Sequence, residues 1–568
     1  MTKPYSYIDA VEFKDSIVVW GRDNTGELIT EKFPLSDYLY AYIKDNAGTA
    51  TMKDLWGTPM KKVSFEDKWD FRDWCKTRKG LSESDVPPVY KMLLDVFSDA
   101  PTDSPYNTLL YDIEVDFDLD EGRGYPTPKN PYGEINLFQA FDVHRQLYVL
   151  FMNDKLRGVV HLTDEDHPVE VHYVTDERDL LASVADYIQH VDIMCGWYTN
   201  GFDLPYIMER AIMLFGEKTA KSMFCRDGFL AKRREFVNDF GDEVWEWTLV
   251  GRQHLDMMEL YKKFIPGEKT SFSLNAVAES DLGETKDEYD GDLGTLYREN
   301  PQAFCNYGLQ DVRLLNKLDD KHQIVRLAVA LARMNCVKFG DVTGSVKPIE
   351  TGFIKFCHEK GIVLPDKRDT VREDFPGAVV YDTIAGRHGW AMTVDLTALY
   401  PSAMIMLGLS SETLVGQLEG GYEDYIAVMT KQDTVVSFAL EETGETFDIT
   451  ASELEQEIRE NGYTISANGS VFNGCFGLLS EYVQDRFMLR KHYQRLKKEA
   501  LDVGDIKLSD THDLYQKVIK IVCNSLYGCI SNAHFRLFDI RLAKSITLTG
   551  QVISKMQMAY ANDLINKL

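Results

Sequence analysis

The sequence Tyr111-Asp112-Ile113-Glu114 places two acidic side chains inside an apolar run that extends from Leu109 to Val115. Such a run predicts a β-strand. Residues two apart on a strand point to the same face, so Asp112 and Glu114 project together. An Asp-x-Glu pair on a strand is most often a solvated edge, and its interpretation therefore depends on the motifs that follow it.

The residues around this strand predict an α/β arrangement. They comprise a hairpin, a helix, a second strand, a second helix and a long later helix: 135–141 with 147–152, 177–190, 191–197, 204–215 and 301–334. Strands and helices in this order predict a mixed sheet with crossover helices. Upstream, short β patterns at 8–13 and 17–20 precede a polar linker at 99–105.

Two further acidic residues follow in the same region. Asp203 comes after an Asn-Gly-Phe turn between a predicted strand and a predicted helix, and Asp311 lies on the later helix. Tyr307 precedes Asp311 by four residues and shares its helix face. Hydrolysis of a phosphodiester uses two hard cations about 4 Å apart, which carboxylates from several elements can hold. Tyr307 would orient the attacking water.

The order of these motifs, 111–114, 200–205 and 307–311, resembles the three exonuclease motifs of the Asp-Glu-Asp-Asp class with a motif-three tyrosine, found in family B DNA polymerases. The resemblance implies a ribonuclease-H-like fold for about residues 100–330 and proofreading of a frayed 3′ end. The implied catalytic set, whose acidic members hold two Mg²⁺ ions (with Mn²⁺ as an alternative), is Asp112, Glu114, Asp203, Tyr307 and Asp311.

A second group of residues with recognisable chemistry lies in the C-terminal half. Residues 395–402 read Asp-Leu-Thr-Ala-Leu-Tyr-Pro-Ser, and an acidic residue between a strand and a tight turn can hold a metal. Tyr400 would form the floor of a sugar pocket. Lys520, Asn524 and Tyr527 lie on one helix stripe, where the lysine can neutralise triphosphate charge. The simpler interpretations are a packed turn and a solvated basic helix.

Together these segments resemble motif A and motif B of family B DNA polymerases, and residues 530–536 are most similar to those of T-even-type bacteriophages. The resemblance covers essentially the whole chain. It implies that Asp395 binds the catalytic metals. The residues that it implies for nucleotide binding are Leu396, Leu399, Tyr400, Arg490, Lys520, Asn524, Tyr527 and Gly528.

Two features depart from the family pattern. Gln494 stands where a second basic residue is expected four residues after Arg490, so Arg495 or Lys497 would have to replace it. Motif C, a hairpin with Asp-Thr-Asp that supplies the other metal-binding carboxylate, is expected after motif B. The 48 residues that follow Lys520 contain no Asp-Thr-Asp. We therefore expect nucleotide addition only with a second chain that supplies motif C and the thumb, although a truncated chain would have the same sequence.

The expected architecture is an α/β multidomain fold with a ribonuclease-H-like 3′→5′ exonuclease domain, an N-terminal domain, a partial palm and two-helix fingers, without a thumb. The expected boundaries are 1–100 for the N-terminal domain (continued by about 325–368), 101–324 for the exonuclease domain, 369–455 for the first part of the palm, 456–530 for the fingers and 531–568 for the second part of the palm.

Local patterns in the C-terminal half predict individual elements. They are a strand at 392–396, a helix opened by a capping box of Thr450 and Glu453, two antiparallel helices at 479–500 and 512–526 separated by a polar loop, and a last helix at 547–568.

Composition sets broader limits on the class of protein. The chain has 568 residues, of which 44% are hydrophobic and 27% charged, as in multidomain globular proteins. Its net charge of −28 argues mildly against nucleic-acid binding, although a narrow basic groove can coexist with an acidic surface. No apolar run is long enough to span a bilayer, and nine scattered cysteines without a Cys-x-x-Cys pair favour a reducing compartment.

The resemblance also implies the ligands and partners. They are primer–template DNA, dNTPs, a second polymerase chain and a sliding clamp that contacts that chain, in the cytoplasm of an infected bacterial host. Two alternatives stay open: a stand-alone 3′→5′ exonuclease with a vestigial palm, and a regulatory protein that binds RNA. The retained Asp395, Tyr400 and Lys520 argue against the first, and no recognisable RNA-binding motif in the first hundred residues supports the second.

Overall fold

A computed structural model describes residues 3–100, 104–117, 124–237, 243–285, 292–368, 377, 385–387, 395–396 and 398–566. The strands of this part of the chain are β1 (Tyr5–Phe13), β2 (Ser16–Asp23), β3 (Leu28–Pro34), β4 (Tyr40–Lys44), β5 (Met52–Lys53), β6 (Pro59–Ser64), β7 (Thr108–Val115), β8 (Ile135–Asp142), β9 (Leu147–Asn153), β10 (Val169–Val174), β11 (Ile193–Gly196), β12 (Lys232–Val237), β13 (Glu243–Thr248), β14 (Gln253–Asp256), β15 (Leu414–Leu418), β16 (Val435–Leu440), β17 (Thr446–Thr450), β18 (Thr464–Ile465) and β19 (Ser470–Phe472).

The α-helices of the same residues are α1 (Lys68–Lys76), α2 (Pro88–Phe97), α3 (Glu177–Tyr187), α4 (Asp203–Phe215), α5 (Glu217–Met223), α6 (Met257–Phe264), α7 (Leu274–Leu282), α8 (Leu293–Glu299), α9 (Pro301–His322), α10 (Ile324–Met334), α11 (Val346–Glu359), α12 (Leu399–Leu407), α13 (Tyr422–Met429), α14 (Ala451–Glu460), α15 (Leu478–Asp502), α16 (Ile506–Ile530) and α17 (Ile540–Asn566). None of these helices has both the length and the apolar character needed to cross a membrane.

The chain divides into two compact units, each made of two separate segments. The first unit comprises Met1–Tyr38 and Pro88–Thr343, and the second comprises Leu39–Pro87 and Gly344–Leu568. The expectation of a mixed α/β multidomain fold is therefore confirmed. The division into N-terminal domain, exonuclease domain, palm and fingers is finer than these two units and stays a prediction.

A six-stranded mixed sheet forms the centre of the first unit, in the order β10-β9-β8-β7-β11-β14. β7 pairs with β8 antiparallel and with β11 parallel, and β8 pairs with β9 in the antiparallel hairpin that the sequence predicts. The apolar residues that flank the acidic pair explain this central position. Leu109, Leu110 and Tyr111 of β7 are fully buried, as expected for a strand with neighbours on both edges and packing on both faces.

The prediction of a single helix at 301–334 was wrong in one respect. The structure has two helices there, α9 and α10. Pro301 opens α9 after the Asn300 side chain, which caps the backbone N–H of Ala303. Gln323 interrupts the helix with a left-handed φ of 55°. The half-buried Asp319 carboxylate then accepts a hydrogen bond from the Val325 N–H (2.9 Å) at the start of α10. The break lacks the glycine or proline that usually marks a helix end in a sequence.

A buried ion network joins the N-terminal strands to the sheet of the first unit. Asp192, just before β11, accepts hydrogen bonds from Arg22 of β2 (2.5 Å) and from Arg226 (2.7 Å). Arg252 is fully buried beside them and donates to three backbone carbonyl groups. Burial, together with the nearby charge of Arg226, lowers the pKa of Arg252 to about 9. The carbonyl acceptors compensate part of the cost of burying this cation.

The second unit contains a five-stranded antiparallel sheet, in the order β17-β16-β15-β19-β18, and long helices. The predicted capping box of Thr450 and Glu453 is present at the start of α14. The two predicted antiparallel helices are α15 and α16. They are longer than predicted, and only three residues, 503–505, separate them. The last helix begins at Ile540, seven residues earlier than predicted. Of the predicted strand at 392–396, residues 392–394 lie outside the described residues.

Candidate exonuclease and polymerase sites

Three acidic side chains converge in the first unit, as their motifs predict. Asp112 and Glu114 lie on β7, and Asp311 lies on α9, which packs across β7 and β8. One carboxylate oxygen from each residue lies within 4.8 Å of the others. Glu114 is 6% exposed and Asp311 is 2% exposed. Oxygen donors in this arrangement fit a hard divalent cation such as Mg²⁺ or Mn²⁺.

The fourth acidic residue, Asp203, lies beside Asp112 at the first position of α4. Its carboxylate accepts a hydrogen bond from the Ile113 N–H (3.2 Å), which fixes it against β7. Burial raises the pKa of Asp203 well above its usual range, and the nearby charge of Asp112 raises it further. Buried carboxylates that repel one another in this way are the environment that a bound cation relieves. The donor set therefore fits the metal that such chemistry needs.

Tyr307 is half-buried on α9, one turn before Asp311, as predicted. Gly308 between them lies against β8. A Cβ atom on Gly308 would come within 2.8 Å of the Leu137 side chain and 3.1 Å of the Gln139 side chain. A glycine here therefore lets α9 approach the sheet closely enough to bring Tyr307 and Asp311 to the carboxylates of β7.

Sequence reasoning missed Gln139 as a member of this site. Gln139 lies on β8 directly opposite Asp112. Its side-chain amide donates a hydrogen bond to Asp112 Oδ2 (2.8 Å) and a longer one to Glu114 Oε1 (3.5 Å). The register of β8 against β7 is the signal that identifies it, and the sequence alone does not fix this register.

A cavity of about 460 Å³ opens beside Asp112. Three aromatic side chains line it: Trp197, Tyr198 and Phe272. Tyr198 is 54% exposed and has a left-handed φ of 62°. Its ring lies against Gly201, where a Cβ atom would come within 2.2 Å of the ring. An exposed aromatic ring such as Tyr198, next to a cluster of carboxylates, can stack with a base of a single strand while the phosphates of the strand meet the cluster.

The predicted polymerase residues lie in the second unit, where Tyr400 and Tyr527 meet. Their ring centroids are 4.6 Å apart. Tyr400 is on the first turn of α12, directly after Leu399, and Tyr527 is on α16. Gly550 of α17 lies under Tyr400, because a Cβ atom there would come within 3.0 Å of the Tyr400 ring. Segments more than a hundred residues apart in the chain thus form one aromatic surface.

The predicted nucleotide-binding residues on α15 and α16 differ in their exposure and contacts. Of the predicted stripe on α16, Lys520 and Asn524 are exposed and Tyr527 is half-buried; the adjacent Gly528 is exposed. Arg490 of α15 makes one long hydrogen bond to the Gln516 side chain (3.4 Å).

The two residues suggested as replacements for Gln494 have acidic partners. Lys497 pairs with Asp513 of α16 (2.7 Å), and Arg495 pairs with Glu499 one turn later on α15 (3.5 Å). Gln494 itself is exposed.

The structure describes two residues of the segment 388–397, Asp395 and Leu396. Asp395 is exposed and Leu396 is half-buried. Ala398 has a left-handed φ of 53° immediately before α12. The tight turn predicted after Asp395 therefore ends in a strained residue that leads into the helix of Tyr400. Strain of this kind occurs most often at functional sites.

The two sites define an enzyme with an exonuclease domain and a DNA polymerase domain. The model for DNA polymerase family B, exonuclease domain, matches residues 59–277, and the model for DNA polymerase family B matches residues 342–567. Together the two matches take in more than half of the chain, which belongs to DNA polymerase family B. Tyr307 and Asp311 fall between the matched ranges, so their place in the site rests on the geometry.

Similar proteins include phage and eukaryotic enzymes. The chain is 25% identical to the DNA-directed DNA polymerase of Escherichia phage RB69, over 99% of this chain and 67% of the relative. The enzyme of Enterobacteria phage T4 has the same identity and the same shares. The DNA polymerase delta catalytic subunit of Arabidopsis thaliana is also 25% identical, over 73% of this chain and 37% of the relative.

Proposed function

We propose that the first unit removes nucleotides from the 3′ end of a DNA strand and that it proofreads DNA synthesis from a ribonuclease-H-like fold. The observation that carries this proposal is the group formed by Asp112, Glu114 and Asp311, with Asp203 beside it, in a chain with a family B exonuclease domain. Two Mg²⁺ ions bound there would supply Lewis-acid stabilisation of the charge that develops on the phosphate oxygens.

The residues of the chain would divide the remaining work among themselves. The four carboxylates hold the cations and keep the phosphate in a water-poor site, since three of them are almost fully buried. Tyr307 hydrogen-bonds the attacking water and orients it, because a phenol is too weak a base at neutral pH to do more. The aromatic cavity beside Asp112 receives the terminal nucleotides as an unpaired strand.

We propose that the second unit carries the nucleotide-adding site of a replicative polymerase that uses primer–template DNA and dNTPs. Asp395 binds a catalytic metal, Tyr400 and Tyr527 contact the sugar and base of the incoming nucleotide, and Arg490 with Lys520 bind its triphosphate. The contact between the two tyrosine rings supports this assignment. α15 and α16 correspond to the fingers, and the segments that precede and follow them correspond to the palm.

Nucleotide addition would need one more contribution. Two-metal phosphoryl transfer uses carboxylates from motif A and motif C, and Asp-Thr-Asp occurs nowhere in the 568 residues. We propose that a further polypeptide supplies motif C and the thumb and provides the contact with a sliding clamp. The site of action would be the cytoplasm of an infected bacterial host.

A primer assay with Mg²⁺ tests both halves of the proposal. The purified 568-residue chain should shorten a 5′-labelled primer, and Asp112→Ala/Glu114→Ala should not. Glu165→Ala/Asp166→Ala is the matched control, since it removes the same charge from two exposed residues of the first unit. Shortening by the double variant would refute the exonuclease assignment. Extension of the primer by the chain alone, once dNTPs are added, would refute the need for a further polypeptide.

A further inference from the structure

Gln139 is a buried polar residue placed between two acidic residues of the exonuclease site. It lies on β8, is fully buried, and is paired across the sheet with Asp112. The two sides of a strand alternate, so Gln139 faces the carboxylates, whereas its neighbour Phe138 faces the opposite side and stacks on Tyr111 (5.7 Å between centroids). Leu137 and Phe141, the neighbouring residues of β8 on the face of Gln139, are buried and apolar, so Gln139 is the polar residue between them.

The amide nitrogen of Gln139 has two hydrogens and two carboxylate acceptors. It donates to Asp112 Oδ2 at 2.8 Å and lies 3.5 Å from Glu114 Oε1. Each contact engages one oxygen of a carboxylate. A neutral donor also reduces the repulsion between two acidic groups that lie on the same face of one strand.

The other end of the same amide shows that the position is not optimised for stability. Gln139 Oε1 is buried and has no hydrogen-bond partner among the described residues. An unsatisfied buried polar atom destabilises the folded protein. Gly308 of α9 lies against the amide, where a Cβ atom would come within 3.1 Å of Gln139 Cδ and Nε2. The helix that carries Asp311 therefore holds the amide in place.

We propose that Gln139 is a positioning residue for metal binding. Its amide fixes Asp112 and Glu114 in the orientation in which one oxygen of each lies within 4.8 Å of an oxygen of Asp311. This inference rests on the proposed two-metal site. It adds a residue on a different strand, β8, that acts through the carboxylates and touches neither the metal nor the DNA.

Mn²⁺ binding to the whole chain, measured by electron paramagnetic resonance in the absence of DNA, tests the proposal directly. Gln139→Met keeps the length and volume of the side chain and removes both hydrogen-bond donors. We expect it to bind Mn²⁺ about 10- to 100-fold more weakly than the wild type, as is typical when a partner of a metal ligand is lost. Primer cleavage should fall with it and recover in part at high Mg²⁺ concentration.

A control on the same strand separates positioning from general stability. Phe138→Leu should lower the melting temperature and leave the Mn²⁺ affinity unchanged. Gln139→Asn keeps the amide but shortens it by one methylene, and should bind Mn²⁺ with intermediate affinity. It also provides the test if Gln139→Met does not fold. Mn²⁺ affinity within twofold of the wild type in the folded variant would overturn the role of Gln139. Absence of Mn²⁺ binding in the wild type would instead overturn the metal site itself.

Discussion

At the scale of single residues, the exonuclease site concentrates negative charge where little water can reach it. Glu114, Asp203 and Asp311 are each less than a tenth exposed, and Asp112 lies among them. Without a cation, this arrangement opposes folding, because buried like charges repel one another more strongly than exposed ones. The carboxylates are thus arranged for a ligand at the expense of the stability of the metal-free protein.

This conflict predicts that Asp203→Asn stabilises the metal-free protein. The pKa of Asp203 is raised in the folded state by burial and by Asp112, so the folded chain binds this proton more tightly than the unfolded chain. Stability must therefore fall as the pH rises above about 4, the ordinary pKa of an aspartate. In EDTA at pH 8, Asp203→Asn should melt at a higher temperature than the wild type and show a flatter dependence on pH.

The same variant should lose primer cleavage with Mg²⁺ by more than about 100-fold, because a metal-binding carboxylate is gone. Asp166→Asn removes an exposed carboxylate and should change neither property. A lower melting temperature of Asp203→Asn in EDTA would contradict the inference that the buried charge of Asp203 destabilises the metal-free protein.

Gly201 predicts a second effect at the residue scale. A methyl group at this position would come within 2.2 Å of the Tyr198 ring, so Gly201→Ala should displace the ring and destabilise the protein by about 1–3 kcal/mol. The KM for a single-stranded oligonucleotide should rise more than kcat falls, because the ring lines the cavity but offers no ligand to the metals. Gly340→Ala is the control, since a Cβ atom there meets nothing within 4 Å. Equal KM values for Gly201→Ala and the wild type would exclude Tyr198 from substrate binding.

The residues that sequence reasoning found and missed differ in a physical way. Asp112 and Glu114 could be paired from strand periodicity, and Tyr307 and Asp311 from helix periodicity, since both relations are local. Gln139 depends on how β8 aligns with β7, which side-chain packing across the whole sheet decides. Strand and helix periodicity can be read from a few neighbouring residues, whereas the register of two strands is known only once the whole sheet has formed.

At the scale of elements, the break between α9 and α10 shows where local signals fail. Residues 301–334 have the apolar periodicity of one helix, and the sequence offers no glycine or proline at the break. The left-handed conformation of Gln323 is nevertheless retained, because Asp319 caps the next helix and apolar residues of both helices are buried. Tertiary packing therefore outweighs the local preference for a continuous helix.

This interpretation predicts that Gln323→Gly raises the free energy of unfolding by up to about 1 kcal/mol, because glycine adopts a left-handed φ without the clash of a Cβ atom. Gln323→Ala also shortens the side chain but keeps the Cβ atom, so it should give no such gain. Urea denaturation of the three proteins measures the difference. Equal stabilisation by alanine would mean that the side chain of Gln323, and not its backbone, carries the strain.

The second unit provides a prediction about how an element is anchored. Arg536, which precedes α17, is almost fully buried and donates to Asp85 (2.7 Å) and Glu350 (3.2 Å). Arg536→Met would leave Asp85 without this cation and would leave Glu350 to its second partner, Lys367 (3.0 Å). It should lower the free energy of unfolding by about 3–5 kcal/mol.

Arg459→Met provides the contrast, because Arg459 is largely exposed and pairs with Glu455 at 3.6 Å. Its replacement should change stability by less than about 1 kcal/mol. Primer cleavage at a temperature where both variants are folded should be unaffected, since the carboxylates of the exonuclease site belong to the first unit. A loss of cleavage in folded Arg536→Met would show that the two units are coupled.

At the scale of the whole molecule, the proposal assigns one chemistry to each unit, in a chain with a net charge of −28. An overall negative charge opposes the approach of DNA, so local structure has to provide the attraction. In the proposed assignment, exposed basic residues on α16 would provide this attraction in the second unit, and cations bound by the carboxylates would provide it in the first. The alternation of strands and helices predicted the sheet of the first unit, because each of these elements has a local hydrophobic periodicity. The contact of Tyr400 with Tyr527 required segments that are distant in the chain to meet.

The division of chemistry between the units predicts that the two activities can be removed separately. Lys520→Ala should weaken binding of a fluorescent dNTP by about 10- to 100-fold, because it removes a charged hydrogen-bond donor for the triphosphate, and should leave primer cleavage unchanged. Lys517→Ala is the control, since Lys517 lies one turn earlier on α16 and pairs with Asp513. Asp112→Ala/Glu114→Ala should show the opposite pattern, with dNTP binding intact and cleavage lost. If either variant impaired both activities, the two sites would have to share residues or depend on one another, and the assignment of one chemistry to each unit would fail.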